Sequence, residues 1–250
     1  MIKFFRKIRQ KMLTENKFGK YLMYAIGEIV LVVIGILIAL QLNQWNENKK
    51  ADIDLQILTK NLHFEFTNNY QELEVDLTRL KRKVLAGKTL LSYTGIKNIP
   101  ITEFKIDSLI FEAIEIPTWN PSSFVLNDIK NSGKLSALKS TKLKQLLYNW
   151  ERLYEDLIEW QSSLEESGKG LIDVINNKGS VINVDFYNQD SAKKSKFKMN
   201  NTNLLQEIHF ENILETNQFA ARGLAKKYIE AKILLNEIIE VSKNNSVEKK

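Results

Sequence analysis

A chain of 250 residues, 44% of them apolar, is long enough for one well-buried core, or for a core plus extended elements. Three prolines and ten glycines argue against a loop-rich all-β or disordered chain, and the absence of cysteine excludes disulfides and thiolate metal sites. The net charge of +6 looks like a nucleic-acid signal until it is located. Lys3, Arg6, Lys7, Arg9, Lys11, Lys17 and Lys20 face Glu15 alone in residues 1–20, and the chain beyond residue 42 is nearly neutral.

The basic residues of 1–20 precede an apolar run, which makes them an anionic-lipid-facing feature rather than a nucleic-acid footprint. Phe5, Ile8 and Met12 fall at helical spacing within this tail, so it reads as an interfacial amphipathic helix or as a plain basic flank.

Tyr21 to Leu42 reads YLMYAIGEIVLVVIGILIALQL and contains one ionisable residue, Glu28. At about 1.5 Å per residue it reaches roughly 33 Å, enough for a hydrocarbon core of about 30 Å. Tyr21 and Tyr24 at one end and Trp45 just past the other match an interfacial aromatic belt. The run is too long for a signal-peptide core and lacks a small-x-small cleavage site, so a retained signal anchor is expected. The Lys/Arg excess before it predicts an amino terminus in the cytoplasm and a carboxyl-terminal domain in the periplasm of a bacterial inner-membrane protein.

Glu28 is the most informative residue of this run. It lies about 10 Å below the surface, where a carboxylate is costly. Three readings stand side by side: snorkelling to cytoplasmic headgroups, a polar contact with a second helix, or a proton-carrying carboxylate. Gly35 and Ala39 form a small-x-x-x-small patch for close helix approach, predicting a homo-oligomer or a partner membrane protein.

The run from Tyr24 to Gln41, followed by Asn43, Trp45, Asn46 and Glu47, resembles a family of single-span membrane proteins of flavobacteria and their relatives, grouped as a domain of unknown function. The tail MIKFFRKIRQKMLTENKFGKYL fits it too, and Ser132-Gly133-Lys134-Leu135 with Leu143 and Leu147 is similar to its central pattern. The resemblance implies inner-membrane anchoring and a helical periplasmic domain, and supplies no activity, ligand or catalytic residue.

Residues 43–242 predict an all-α domain. Phe66, Tyr70, Leu73, Leu77, Leu80, Val84 and Leu91 form a coiled-coil-like seam, with Gly87 between the last two; breaks at Asn46–Lys50 or Asn68–Asn69 fit the composition. A second seam runs Leu143, Leu146, Trp150, Leu153, Leu157, Trp160, Leu164, Leu171 and Val174, with a kink expected at Ser167–Gly170. A third joins Leu224, Tyr228, Ala231, Leu235 and Ile238, after a shorter helical piece at 204–214. Three apolar stripes must bury one another, and an extended antiparallel bundle continuing from the transmembrane helix does so.

Pro100, Pro117 and Pro121 mark an irregular connection with a short helix at 107–116. The alternation at 180–186 suggests one minor β pair, with Ile99–Ile101 as partner. A frayed tail is expected over 243–250.

Chemistry is sparse. His63 and His209 complete no metal pattern, the pair Glu165–Glu166 looks like a solvated helix face, and no cofactor is expected. Trp150 and Trp160 are core by default, whereas Trp119 and Asn120 sit in the proline-rich connection as a candidate recognition loop. Lys193, Lys194, Lys196 and Lys198 read as a solvated basic loop, or as a contact for anionic lipid or polysaccharide. The expectation is a non-enzymatic scaffold or protein-interaction subunit anchored in the inner membrane. The alternative is an accessory subunit of an ion-coupled or sensory membrane complex that uses Glu28.

Overall fold

The computed structural model describes Arg6 and residues 18–186 and 193–247. The rest of the basic tail, with its expected interfacial helix, lies outside these residues, as do the last three positions. The described residues are all-α, without a strand. Two compact units divide the chain, Met1–Leu55 and Gln56–Lys250.

The first helix, α1, spans Phe18–Leu91 without interruption at either expected break. Proline is absent from it, and the asparagines that suggested breaks point to solvent or to tertiary partners instead of ending the helix. In the first unit its apolar stretch is long and hydrophobic enough to cross a membrane. Every residue from Ile26 to Leu42 is exposed, with Leu31 at 72%.

The second unit is a bundle of four staves. The first is the part of α1 after residue 55. The third is α5 (Thr141–Lys178) and the fourth α7 (Ile208–Val247), which runs past the expected helical limit at 242. The second stave is the proline-rich segment itself. It comprises α2 (Glu103–Ile114), an extended stretch at 115–123, and α3 (Phe124–Asn131), followed by the short α4 (Lys134–Ala137). Gly133, at φ 71°, makes the left-handed turn between α3 and α4.

Pairings along the staves fix their directions. As α1 descends from Arg79 to Asn69 to Glu65, its partners climb from Glu115 to Ser122 to Val125, so the second stave runs antiparallel to it. Asp156–Lys227 and Lys142–Glu237 set α5 antiparallel to α7, and Glu74–Lys232 with Lys83–Gln218 sets α1 antiparallel to α7. The result is the expected antiparallel bundle, with a stave that no heptad pattern announces because Pro117 and Pro121 cannot continue a helix.

All five residues of the third seam are completely buried. The first seam slips near its end. Val84 and Leu91 are half-buried, while Lys83, Ala86 and Leu90 are inside. In the second seam Leu153 and Trp160 are half-buried, and Gln161 takes an inner position. The expected kink at Ser167–Gly170 is not a break, since α5 passes through it. Its glycines mark close packing instead: a Cβ on Gly168 would stand 2.9 Å from Ile116 Cδ1, and one on Gly170 3.0 Å from Ile213 Cδ1.

The expected strand at 180–186 is helical. Residues Val181–Asp185 form α6, capped by the Ser180 hydroxyl, which accepts from Asn183 N at 3.3 Å. Only Val184 of this element is buried, and Ile99 and Ile101 pack on the same core cluster rather than pairing with it. A 3₁₀ turn at Asn201–Gln206 closes this end. The Asn201 amide donates to Asp107 at 2.7 Å and to Ser180 O at 3.1 Å, and its oxygen accepts from Ser180 N at 2.7 Å. Burial raises the Asp107 carboxyl above its ordinary range, and the Asn201 bond offsets this in part.

Candidate functional site

In the first unit the helix presents Glu28, Gly35 and Ala39 on an exposed surface. Apart from its chain neighbours and its own helix backbone, no described heavy atom lies within 4 Å of where a Cβ on Gly35 would be, so this face is open to close approach.

The second unit carries a polar layer inside the bundle that heptad reading missed. Lys83 is fully buried on α1, and its ammonium nitrogen bonds Ala113 O near the end of α2. Burial lowers its pKa from 10.5 to about 7, opposed by the nearby Glu115 carboxylate. On α7, Asn217 and Gln218 are both fully buried, Gln218 turned toward α1 and Asn217 toward α5. The Gln218 amide points to Lys83 O at 3.5 Å, and Asn217 donates to Ser167 Oγ at 3.0 Å. Among the described residues, the side-chain oxygens of both amides find no hydrogen-bond partner. The available signal was positional: Lys83 falls three residues after Leu80 and four before Gly87, on the buried face.

The candidate recognition loop needs correction. Trp119 is 1% exposed, so it offers no edge to a partner. Its ring meets Trp150 and Tyr228 edge-on at 5.7 and 5.9 Å, its backbone N–H donates to the Tyr228 hydroxyl at 3.0 Å, and its backbone carbonyl accepts from Gln161 at 2.9 Å. Gln161 also donates to that hydroxyl at 2.9 Å. The indole anchors the extended part of the second stave in the core, where an aromatic surface of this size contributes most. Asn120 alone remains exposed.

A groove of about 700 Å³ runs between α5 and α7. Trp160, Ile213, Phe219 and Ala220 line it, with Glu159 and Glu166 among the polar residues. Phe219 is 63% exposed with its ring centroid 5.9 Å from that of Trp160. Trp160 lies over Gly223, where a Cβ would come within 2.1 Å of its ring. Trp160 is therefore a groove-lining residue rather than a core one.

His63 is half-buried, with Nδ1 at 3.1 Å from Ile239 O and 3.2 Å from Ser242 Oγ, while His209 is exposed. Among the described residues neither belongs to a cluster of three or more metal-ligating side chains. Glu165 pairs with Lys169 at 2.9 Å on the exposed face of α5. Lys193, Lys194, Lys196 and Lys198 are all exposed.

Comparison with known proteins places this architecture in a family. Residues 28–218 match the family of unknown function DUF6090, and the chain belongs to that family. No curated protein and no solved structure matches it.

Proposed function

We propose that the chain is a non-enzymatic, inner-membrane-anchored scaffold or interaction subunit, with its amino terminus in the cytoplasm and its helical bundle in the periplasm. One observation carries the reading: the apolar residues of α1 from Ile26 to Leu42 are exposed around the whole helix circumference. Among the described residues no other element covers this apolar surface, and lipid, or lipid plus another helix, is what would cover it. The charge asymmetry supports the orientation, since seven of the basic residues precede this stretch. The open face at Gly35 and Ala39 supports self-association in the bilayer, and the aromatic groove between α5 and α7 supports protein contact outside it.

Membrane fractionation and a reporter fused at the carboxyl terminus test the anchor. Recovery of full-length protein in a detergent-free supernatant, or a reporter active only in the cytoplasm, would overturn it. Self-association is tested by crosslinking in membranes, where Gly35→Ile should weaken the homo-adducts. Monomers for both variants would remove the oligomer.

Glu28 favours a second reading, an accessory subunit of an ion-coupled or sensory complex, because a carboxylate inside an apolar helix is costly without use. There Glu28→Gln abolishes function while expression and topology stay intact, and an unchanged phenotype removes the idea.

A further inference from the structure

Residues 193–199 read Lys-Lys-Ser-Lys-Phe-Lys-Met, and their backbone is held in a built turn. Asn183 of α6 grips both ends: its side-chain oxygen accepts from Ser195 N at 2.9 Å, and its amide donates to Met199 O at 3.3 Å. Within the grip Ser195 Oγ accepts from Phe197 N at 3.2 Å, and Met199 N donates to Phe197 O at 2.8 Å. The exit is secured by Asn200, whose amide donates to Glu103 of α2 and whose side-chain oxygen accepts from Thr202 N at 2.8 Å. The product of these bonds is Phe197 at the tip, 81% exposed, with Met199 beside it at 40%. Lys194 lies over the Phe186 ring at 5.9 Å, so Lys193, Lys196 and Lys198 are the cations around the tip.

A solvated loop has no reason to hold a phenyl ring in water with this many hydrogen bonds. We propose that residues 193–199 are a finger that docks on an anionic phospholipid surface. Phe197 enters the boundary between headgroups and acyl chains, and Lys196 and Lys198 meet the phosphates on either side of it. The chemistry selects lipid over other polyanions. A polysaccharide or an acidic peptide offers charge for the lysines but no hydrocarbon layer for Phe197 and Met199, whereas a bilayer interface offers both within a few ångströms. The finger is separate from the apolar stretch of α1 and does not depend on how that stretch is covered.

The absence of cysteine makes the test direct. Full-length Met199→Cys protein, labelled with an environment-sensitive fluorophore, is reconstituted in neutral phosphatidylcholine vesicles and mixed with separate vesicles containing about 30% phosphatidylglycerol. Emission should shift to the blue with the anionic vesicles, stay unchanged with neutral ones, and return at high salt. Adding Lys196→Gln and Lys198→Gln should weaken binding about thirtyfold. Phe197→Ser should remove the blue shift without altering the circular dichroism, since the ring makes no core contact. No response to anionic vesicles, or the same response with Phe197→Ser, overturns the finger. So does equal affinity of the labelled protein and its Phe197→Ser form for the anionic vesicles, which would mark a mere polyanion site. Failure of the protein to float with its vesicles counts against the α1 anchor instead, and the fluorophore still reports on the finger.

Discussion

Gly87 of α1 and Gln218 of α7 share one place in the bundle: a Cβ on Gly87 would stand 1.9 Å from Gln218 Nε2 and 2.2 Å from its Cδ. Gln218 is fully buried. Gly87→Ala gains about 1 kcal/mol of helix propensity but must displace this amide, and overpacking of that kind costs about 1–3 kcal/mol. A net loss of stability in urea unfolding is expected. Combining it with Gln218→Ala should recover part of the loss, and strict additivity in that cycle would show that the two side chains do not compete.

Lys83 gives the bundle a pH dependence of known sign. Its folded pKa is lowered to about 7 from an unfolded value of 10.5. Between these values the unfolded chain binds a proton that the folded chain refuses, so stability rises with pH across this window. Below about 7 both states are charged and the full penalty remains. Above about 10.5 both are neutral and it is gone. Glu115, itself bonded to Arg79, moderates the shift. The stability difference between wild type and Lys83→Met should therefore move by up to about 1.4 kcal/mol per pH unit within the window, in favour of wild type as pH rises. A flat difference across pH 7–10 would mean that Lys83 reaches solvent.

Glu65 caps a helix that lies 60 residues away in sequence. Its carboxylate accepts from the Ser122 hydroxyl at 2.7 Å, Val125 N at 3.0 Å and Leu126 N at 3.1 Å, the last two at the start of α3. Asn69, one turn on, bonds both Ser122 N and Ser122 O at 2.8 Å. Glu65→Ala removes this cap, leaves the Leu126 N–H buried without an acceptor and should destabilise by about 1–3 kcal/mol. Hydrogen exchange gives the local readout: the amides of Val125 and Leu126 should lose protection before the centre of α7 does.

Neighbouring residues in the proline-rich stave should behave in opposite ways. Trp119→Ala empties a buried indole site and should cost about 3–5 kcal/mol, whereas Asn120→Ala should stay within about 0.5 kcal/mol. Tyr228→Phe, which strips the acceptor from Trp119 N and Gln161, should fall between them at about 1–3 kcal/mol. Comparable thermal shifts for Trp119→Ala and Asn120→Ala would contradict the burial of the indole.

Much of the architecture was legible in the order of residues because it depends on one helix at a time. The stripe Leu224–Ile238 announces a buried face by its spacing alone, and all five members are inside. The apolar run before residue 43 announces itself by length and by lack of charge. The readings that failed involve a residue whose position depends on another element. Val84 looked like the next seam residue because it is apolar and Lys83 is not. Yet Ala113 O, at the end of a different helix, gives the ammonium its acceptor and draws the lysine inward. Trp119 looked like a loop residue because prolines flank it, and Tyr228 and Gln161, more than forty positions away, make it core. The alternation at 180–186 was too short to carry a period, and Ser180 with Asn201 decided for helix.

Composition and periodicity alone determined that this protein is helical, that its positive charge gathers before one long apolar segment, and where most core stripes run. Tertiary structure alone decided that the proline-rich segment is a stave, that a lysine and two amides form a layer in the core, and that Phe197 is held out in water by Asn183. Periodicity reports the average polarity of a helix face. Whether one polar group is buried depends on the single partner that meets it, and that partner comes from elsewhere in the chain.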